Sequence, residues 1–599
     1  MSSELTSDGL APIDDHFARL LVRLAGSGGR LAELAAHTSR WIRDGHSCLD
    51  LAALARQLDR ADELDDWRET LRKSPVVGAP GEWRPLILDQ GDRLYLYRYW
   101  DYERRIGDAL LSRAQAPAGV EIKQVRRQLE ALFGPSDPER VNWQKVAVAT
   151  AALRQLCVIS GGPGTGKTYT VVRVLALLAA QNPVRPPLIG LAAPTGKAAA
   201  RMQEAIREAK QTLAVDEAIR AAIPETASTI HRLLGVQPNS IHFRHDRSNP
   251  LPLDALVVDE ASMVDLALMA KLLDALPPQA KLILVGDGDQ LASVEAGSVL
   301  ADICGRAEGC SPAFAQRLAD VSGERVPAAG GAVPPIADCV VRLRESRRFR
   351  GEGGIGQLAR LINAGDADGT LALLRGDDPE LGWRSAAGTE QAFSAAVRHG
   401  YASYLQAMAE GEPVEEVLAR FNGFRVLCGH RSGPSGVEAI NRDVEAALAR
   451  AGMIRRGQVW YPGRPVMITQ NDYNLRLYNG DIGIALPGED GELRVYFEAD
   501  GGIIRRFHPA RLPAHESVYA MTVHKTQGSE FERLLLLLPP EPSRVIDRRL
   551  LYTAVTRGKM RVDIWGREAM LRAAVTTSAP RGSGLAARLW EQEPAAPQA

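Results

Sequence analysis

The stretch Gly161-Gly162-Pro163-Gly164-Thr165-Gly166-Lys167-Thr168 decides the fold of this 599-residue chain. It lies between the apolar run 156–159 and an apolar helical pattern over 171–180, which predict a strand before it and a helix after it. In that context G-x-x-x-x-G-K-[ST] is a phosphate-binding loop, because its backbone N–H groups and the helix N-terminus attract anions. Lys167 is expected to reach the β- and γ-phosphates of a nucleotide, and the Thr168 hydroxyl is expected to ligate Mg²⁺.

Length and charge restrict the class of protein. A chain of 599 residues is too long to fold around a single hydrophobic core, and its length suggests about three to five domains. The formal net charge is −1, so any nucleic-acid binding would use a local groove rather than a basic surface. The six cysteines form no C-x-x-C pair, which argues against a zinc site or a disulfide framework. There is no apolar run of the roughly 20 residues that span a bilayer and no signal-peptide pattern, so we expect a cytoplasmic protein.

Polar residues follow two further buried-strand patterns. The apolar run 256–258 leads into Asp259 and Glu260, which are expected to hold Mg²⁺ and to polarise the attacking water, respectively. The run 282–285 leads towards Gln290, which is placed to contact the γ-phosphate and to report its loss. About twenty residues before the loop, Gln144 either reads adenine with its amide or is a surface helix residue. The sequence leaves both readings of Gln144 open.

Sequence patterns in the rest of the chain predict where its domains and insertions lie. Strand–helix alternation after the loop predicts a parallel sheet, with Thr195 and Lys197 at its carboxyl edge, where Thr195 would also cap a helix. Residues 305–335, rich in Gly, Ala and Pro, are predicted to be a mobile insertion rather than a regular element. A second α/β domain is expected from near residue 350, with a small β-barrel inserted at about 455–512.

Residues 1–115 are predicted to form a separate N-terminal unit with helical stripes and a hairpin at 86–97. Its aromatic cluster is either a base-stacking platform or a core or protein-docking surface. The unit contains 16 Lys+Arg and 19 Asp+Glu, a net charge of −3, which favours docking or core over DNA contact. The cluster consists of Tyr95, Tyr97, Tyr99, Trp100 and Tyr102.

Seven motifs occur in a fixed order along the chain: GGPGTGKT, APTGKAAARM, VVDEASMVD, VGDGDQLASVEAGSVL, ESRRF, VYAMTVHKTQGSEF and LYTAVTRGK. This set resembles superfamily 1 helicases of the 5′→3′ branch, and most closely the RecD family, the alpha subunits of exodeoxyribonuclease V. The resemblance implies an α/β fold with two RecA-like P-loop motor domains at 116–345 and 346–599. It also implies a helical partner-docking domain at 1–115 and an SH3-like β-barrel insertion at about 455–512.

The resemblance also assigns roles to residues. Gln290 matches the γ-phosphate sensor, and Arg348 and Arg557 match arginines that the second motor presents to the γ-phosphate, although Arg347 leaves open which neighbour is presented. The positions that match nucleotide contacts are Gln144, Gly161, Gly162, Pro163, Gly164, Thr165, Gly166, Lys167, Thr168, Gly528 and Glu530. The positions that match DNA contacts are Thr195, Lys197, Thr229, His231, Thr522, His524 and Lys525.

The implied activity is ATP- and Mg²⁺-dependent 5′→3′ translocation on single-stranded DNA. The implied context is a heterotrimeric RecBCD-type helicase-nuclease, with RecB-like and RecC-like subunits, that acts on duplex ends in double-strand break repair and homologous recombination. We find no nuclease constellation, so nuclease activity is expected only of the complex. The alternatives are a stand-alone RecD-like helicase, or an ATP-driven switch that regulates a complex without translocating. A kinase or ligase is disfavoured because nothing provides a second substrate's site.

Overall fold

The computed structural model describes most of the chain, and no helix in the described part is long and apolar enough to cross a lipid bilayer. The described residues are 9–26, 28–116, 119–137, 139–182, 185–237, 240–307, 309–331, 333–345, 353–385, 390–455, 457–472, 474–499, 502–543, 545–578 and 581–591.

The N-terminal unit packs helices on a small sheet of order β1-β4-β3-β2, in which β3 and β4 form the predicted hairpin. Its core is built around the buried Trp67 and Leu34. The elements are α1 (Pro12–Ala25), α2 (Arg30–Arg43), β1 (Leu49–Asp50), α3 (Leu51–Gln57), α4 (Leu64–Lys73), β2 (Val77–Gly78), β3 (Leu86–Leu88), β4 (Arg93–Leu96) and α5 (Tyr97–Gln115).

The first of the two predicted motor domains, called the first motor below, contains a parallel sheet of order β10-β5-β9-β8-β6-β7. Its central strands are buried on both faces, as continuous apolar runs predict for parallel sheets. The elements are α6 (Ile122–Phe133), α7 (Trp143–Leu153), β5 (Leu156–Gly161), α8 (Lys167–Gln181), β6 (Ile189–Ala193), α9 (Gly196–Gln211), α10 (Glu217–Ala222), β7 (Ser228–Thr229), α11 (Ile230–Leu234), β8 (Ala255–Val258), α12 (Leu266–Ala275), β9 (Lys281–Gly286), α13 (Val299–Cys304), α14 (Pro312–Ser322) and β10 (Val340–Leu343).

The second motor is a parallel sheet of order β11-β20-β19-β12-β18, and an antiparallel sheet of order β16-β15-β14-β13-β17 is inserted in its chain. The elements are α15 (Gly354–Ala364), α16 (Ala367–Arg375), β11 (Leu381–Arg384), α17 (Glu390–Glu410), α18 (Val414–Asn422), β12 (Phe424–Cys428), α19 (Val437–Arg450), β13 (Pro465–Ile468), β14 (Ile482–Pro487), β15 (Leu493–Ala499), β16 (Ile503–Phe507), β17 (His515–Ser517), β18 (Ala520–Thr522), β19 (Phe531–Leu537), α20 (Arg548–Val555), β20 (Gly558–Trp565) and α21 (Glu568–Thr576). The last helix, α22 (Leu585–Trp590), follows these elements in sequence but packs in the core of the first motor. Short 3₁₀ helices cover Ala61–Glu63, Ala261–Met263, Pro335–Cys339, Pro509–Arg511 and Val523–Thr526.

Helix α5 belongs to two units at once. It directly follows β4, yet Ile106, Leu110 and Ala114 pack in the core of the first motor, and Arg113 Nη2 donates to Pro277 O at 2.9 Å. The N-terminal unit predicted for residues 1–115 therefore shares its last helix with the motor. Four of the five clustered aromatics, those at 97, 99, 100 and 102, lie on α5 rather than on the hairpin, and Trp100 is buried. These positions favour a core role over a base-stacking platform.

The prediction of a mobile insertion at 305–335 was wrong over much of its length. Helix α14 occupies the middle of this segment and packs on α6 and α7, with Phe314 and Leu318 buried in the core of the first motor. The Ser311 side chain caps its N-terminus by accepting from Phe314 N, and Gly323 ends it in the left-handed conformation. The Gly- and Pro-rich flanks therefore mark the ends of a helix.

Candidate functional site

The phosphate loop connects β5 to α8 at the carboxyl edge of the first motor's sheet, where ligands of open α/β sheets bind. Gly164 and Gly166 have φ angles of 77° and 81°, in the region that favours glycine, so the sharp curl of the loop depends on them. Lys167 Nζ donates to the carbonyls of Gly161 at 2.7 Å and Gly162 at 3.2 Å. The lysine ammonium is thus held inside the curl at the N-terminus of α8, where an anion is favoured.

Gln144, on α7, lies directly behind the loop. Its Nε2 donates to Thr165 O at 2.9 Å, and a Cβ at Gly166 would come within 2.2 Å of the same nitrogen. Thr165 Oγ1 in turn donates to Gly162 O at 2.8 Å. The amide of Gln144 therefore supports the loop backbone, and its contact with adenine stays a prediction.

Asp259 and Glu260 follow β8, which reaches the same edge of the sheet beside β6 and β9. Glu260 has a φ of 49° and its N–H donates to Asp259 Oδ1 at 2.9 Å, so the pair forms a tight, strained corner. Desolvation in the cleft, followed by the charge of Glu260, raises the pKa of Asp259 to about 6, against the opposing effect of Lys167. A nearby cation stabilises the ionised form of a carboxyl group whose pKa is raised in this way.

Asp287 is a site residue that the sequence reasoning missed. It follows β9 directly, is only 2% exposed, and accepts hydrogen bonds at Oδ2 from Gln290 Nε2 and from the Tyr552 hydroxyl, both at 3.0 Å. Burial raises its pKa, and the nearby charge of Lys167 opposes the shift. The signal was present, because Asp287 ends a buried strand as Asp259 does.

Arg557, at the end of α20 in the second motor, reaches the first motor. Its side chain is 3% exposed, and Nη2 donates to Gln290 Oε1 at 2.6 Å, while Nε donates to Thr553 O at 3.3 Å. Burial lowers the pKa of Arg557, and Glu260, Glu530 and Asp287 oppose that effect. The predicted sensor and the predicted arginine are thus in direct contact. Arg348, like its neighbour at 347, lies outside the described residues.

A second set of contacts joins the motors beside Gln290. Leu291 N donates to Thr553 Oγ1 and Leu291 O accepts from Gln527 Nε2, both at 2.8 Å. Leu291 follows Gln290 immediately. The second motor therefore contacts the predicted sensor, Gln290, through its side chain and also contacts the backbone of the next residue.

Gly528 and Glu530, predicted to contact the nucleotide, also contact the first motor through Arg201 of α9. Arg201 Nη1 donates to Gly528 O at 3.2 Å, and its Nη2 lies 2.6 Å from Glu530 Oε2. Lys559 adds a 3.4 Å ion pair to the same carboxylate. In this structure the two residues couple the motors, and Arg201 is the partner that sequence reasoning did not single out.

The predicted DNA-contacting threonines share one local geometry, because each is an N-cap. Thr195 accepts from Ala198 N, Thr229 from Arg232 N and Thr522 from Lys525 N, at 3.2, 3.2 and 3.4 Å. Thr195 and Thr229 lie at the ends of the neighbouring strands β6 and β7, so both helix starts face the same edge. Helix starts of this kind present N–H groups that suit phosphate contacts. The structure thus shows the capping role of Thr195, and its contact with DNA stays a prediction.

The predicted basic residues differ in their surroundings. Lys197 lies at the start of α9, two residues after the N-cap Thr195, and is exposed. Lys525 Nζ pairs with Glu516 Oε1 at 2.7 Å.

Of the two predicted histidines, His524 is half-buried and His231 is exposed, and partial desolvation lowers the pKa of both rings. His231 lies edge-on to Phe243 at 5.8 Å. Both rings therefore favour the neutral form and would act as hydrogen-bonding or packing groups rather than as fixed cations.

Known families match this chain in three places. The N-terminal domain family described as RecBCD enzyme subunit RecD matches residues 6–95, and the AAA domain family matches 144–296. The UvrD-like helicase C-terminal domain family matches 517–564. The first match ends one residue before β4 does, and the other two cover the phosphate loop and the segment that contains Arg557.

Curated relatives cover nearly the whole chain. "RecBCD enzyme subunit RecD" of Mycolicibacterium smegmatis is 42% identical over 98% of this chain and 98% of its own length. The Haemophilus influenzae protein of the same name is 38% identical over 87% and 84%. "ATP-dependent RecD2 DNA helicase" of Deinococcus radiodurans is 34% identical over 68% of this chain and 46% of its own length. Among solved structures, Bacteroides Pif1 bound to ssDNA has 18% identity over 71% of this chain and 91% of its own, with a TM-score of 0.37. With 42% identity along almost all of its length to one of these relatives, the chain belongs to the RecD family of RecBCD enzyme subunits.

Proposed function

We propose that this chain is the ATP-dependent 5′→3′ helicase subunit of a RecBCD-type complex that acts on single-stranded DNA and duplex ends. The contact of Arg557 with Gln290 carries the proposal, because it joins the sensor of one motor to the arginine of the other beside the phosphate loop. Membership of the RecD family supports the same activity. In this proposal the chain uses ATP hydrolysis to translocate on DNA, as part of a cytoplasmic complex for DNA repair and recombination.

The chain's own residues supply most of the ATPase chemistry. Lys167 and the N-terminus of α8 bind the phosphates, Glu260 holds the attacking water, and Gln290 with Arg557 stabilises charge on the transferring group. Thr168 and Asp259 would hold Mg²⁺, since such sites need only one or two protein ligands beside the nucleotide phosphates. Mg²⁺ held there would neutralise negative charge on the nucleotide phosphates.

The DNA strand is proposed to pass the capped helix starts of α9 and α11 and to contact Lys197 and the inserted sheet. The positions of Thr195 and Thr229 support this path, because the two residues end neighbouring parallel strands and bring both helix starts to one edge of the sheet. The inserted sheet has its own small core, which includes Val466 and Phe497, and we propose that its strands 465–517 correspond to an SH3-like β-barrel. Each ATP cycle would then alternate the grip of the two motors on the phosphate backbone.

The N-terminal unit is proposed to dock the chain onto RecB-like and RecC-like partners. Large apolar side chains are exposed on it, with Trp83 at 82% and Leu24 at 58% exposure, and exposed aromatics are enriched at protein interfaces. We place its boundary near residue 96, because α5 packs in the first motor, with that motor extending to 345 and the second motor following from 346. Trp83→Ser and Leu24→Ser should weaken co-purification with the two partners and leave the ATPase of the isolated chain unchanged. Normal assembly of the double variant would contradict this role.

The test of the proposed activity compares the wild-type chain with Lys167→Ala. The wild-type chain should hydrolyse ATP with stimulation by single-stranded DNA, and Lys167→Ala should lose at least about three decades of turnover while remaining folded. A regulatory switch without translocation would bind ATP but show no DNA stimulation and no unwinding. ATPase near wild type in a folded Lys167→Ala variant would refute the assignment of the loop.

A further inference from the structure

The C-terminal strap, defined as residues 581–591, returns from the second motor to the first. Its helix α22 packs on α5 and α13, with Leu585 and Leu589 buried in the core of the first motor. Trp590 Nε1 donates to Asp302 O at 3.1 Å. The strap therefore follows the second motor in sequence but lies against the first motor and the N-terminal unit in space.

A buried carboxylate fastens the strap to the N-terminal unit. Glu103, on α5, accepts from Ser47 Oγ at 2.5 Å, Ser583 Oγ at 3.0 Å and Gly584 N at 3.0 Å. The backbone adds two bonds, because Ser47 N donates to Gly582 O at 3.0 Å and Gly582 N donates to His46 Nδ1 at 2.7 Å. Buried bonds to a carboxylate are among the stronger ones in proteins, so this end of the strap is fixed.

Arg581 extends from this anchor to the loop that carries the sensor. Its Nη1 donates to Glu295 O at 2.7 Å and to Gly297 O at 2.9 Å. The N-terminal unit holds the same loop, since Gly297 N donates to Gly45 O at 3.0 Å. Gly45 has a φ of 95°, and a Cβ there would lie 2.8 Å from Arg581 Cζ, so the guanidinium fills the space between the unit and the loop.

The loop held in this way is the sensor loop, residues 290–297. Gln290 begins it and contacts Arg557 and Asp287, and Leu291 is bonded to the second motor. Arg581 and Gly45 hold the other end. Only a few residues thus separate the held segment 295–297 from Gln290, the residue predicted to contact the γ-phosphate.

We propose that Arg581 is a positioning residue for ATP hydrolysis, which fixes the sensor loop so that Gln290 stands against the γ-phosphate and which ties turnover to the N-terminal unit. The inference rests on the proposed ATPase function and assigns a regulatory input to it. The strap and Gly45 both form hydrogen bonds to the sensor loop. A movement of the N-terminal unit when it binds its partners would therefore shift Gln290, although the unit itself does not contact ATP.

The experiment uses the full-length chain and four variants. Arg581→Ala removes both carbonyl bonds, Arg581→Lys leaves a single ammonium for two carbonyls, and Gly45→Ala disturbs the guanidinium from the opposite side. Arg306→Ala is the matched control, because its exposed 2.9 Å ion pair with Glu591 touches the strap but not the sensor loop. The measurements are kcat and KM for DNA-stimulated ATPase, the affinities for ATPγS and ADP, and the melting temperature.

A positioning role predicts a specific pattern. Arg581→Ala should lower kcat by about tenfold and reduce the preference for ATPγS over ADP, with ADP affinity and melting temperature unchanged. Gly45→Ala should lower kcat and the preference for ATPγS in the same way but should also lower the melting temperature, because a φ of 95° strains any residue with a Cβ. Arg581→Lys should be intermediate, and Arg306→Ala should match the wild type. Only the γ-phosphate distinguishes the two nucleotides, so a merely structural role would not move their ratio selectively.

Two results would overturn the inference: wild-type kcat and nucleotide preference in Arg581→Ala, or a fall in kcat matched by equal losses in ADP affinity and melting temperature. If Arg581→Ala does not fold, the kcat, nucleotide preference and melting temperature of Arg581→Lys decide between the same outcomes. If the wild type and Arg306→Ala both lack DNA-stimulated ATPase, the proposed function itself fails, and this inference fails with it.

Discussion

Gln290 and Arg557 are expected to act as one unit in ATP hydrolysis. Their side chains are 4% and 3% exposed and share a 2.6 Å hydrogen bond across the two motors. A hydrogen bond to a charged group contributes about 1.5–3 kcal/mol, which corresponds to roughly 10- to 150-fold in rate. Arg557→Ala should lower kcat by about 10³-fold, as for other arginines that stabilise transferring phosphoryl groups. Gln290→Ala should lower it by roughly the 10- to 150-fold of the shared bond.

The assay is a double-mutant cycle on the kcat of DNA-stimulated ATPase. Because either single substitution already breaks the shared bond, the double variant should be no slower than Arg557→Ala, giving a coupling free energy of about 1.5–3 kcal/mol. Arg561→Ala is the control, since this residue lies on the adjoining strand β20 and pairs with Asp563 at 3.1 Å, away from the cleft. Effects that multiply in the double variant would refute the idea that the contact links sensing to hydrolysis.

Further predictions concern the same cleft. Glu260→Gln should retain ATP binding while turnover collapses, because the shape is kept and the base is lost; equal losses in isothermal binding and in turnover would indicate a structural role instead. Tyr552→Phe should raise the KM for ATP or lower kcat several-fold, since Asp287 loses one of its two side-chain donors, and a wild-type steady-state profile would contradict this. The folded-state pKa of Asp259 is raised to about 6, so its ionisation costs stability as pH rises through 6. Asp259→Asn should therefore raise the melting temperature of the nucleotide-free chain at pH 7.5, with the gain vanishing below pH 4, and it should abolish Mg²⁺-dependent turnover; equal gains at both pH values would contradict the assigned cause.

The sequence predicted local structure at the motifs that join adjacent elements. The strand–loop–helix at Lys167 and the strand ends at Asp259 and Gln290 lie at one sheet edge, because consecutive parallel strands must bring their carboxyl ends together. The parallel sheets of both motors and the antiparallel insertion also follow from strand patterns. Helix α14 was predictable as well, since Ser311, Pro312 and Gly323 are ordinary cap residues that the Gly- and Pro-rich composition obscured.

Contacts between distant parts of the chain were not predictable in the same way. Arg557 and Gln290 are 267 positions apart, and nothing in either local pattern specifies a 2.6 Å bond between them. Helix α5 packs in the core of the first motor. Its helical periodicity predicts an apolar face but does not indicate which domain that face packs against. No sequence motif marks Arg581. It bonds to two backbone carbonyls, and a backbone carbonyl leaves no signal in the residue types of the loop.

Directional unwinding tests the central claim most directly. The full-length chain is mixed with ATP, Mg²⁺ and a labelled duplex that bears either a 5′ or a 3′ single-stranded overhang, with Lys167→Ala as the inactive control. The account predicts that the wild type separates the strands of the 5′-overhang duplex only, and that Lys167→Ala separates neither. Unwinding of the 3′-overhang duplex alone, or DNA-stimulated ATPase in a folded Lys167→Ala variant, would contradict it.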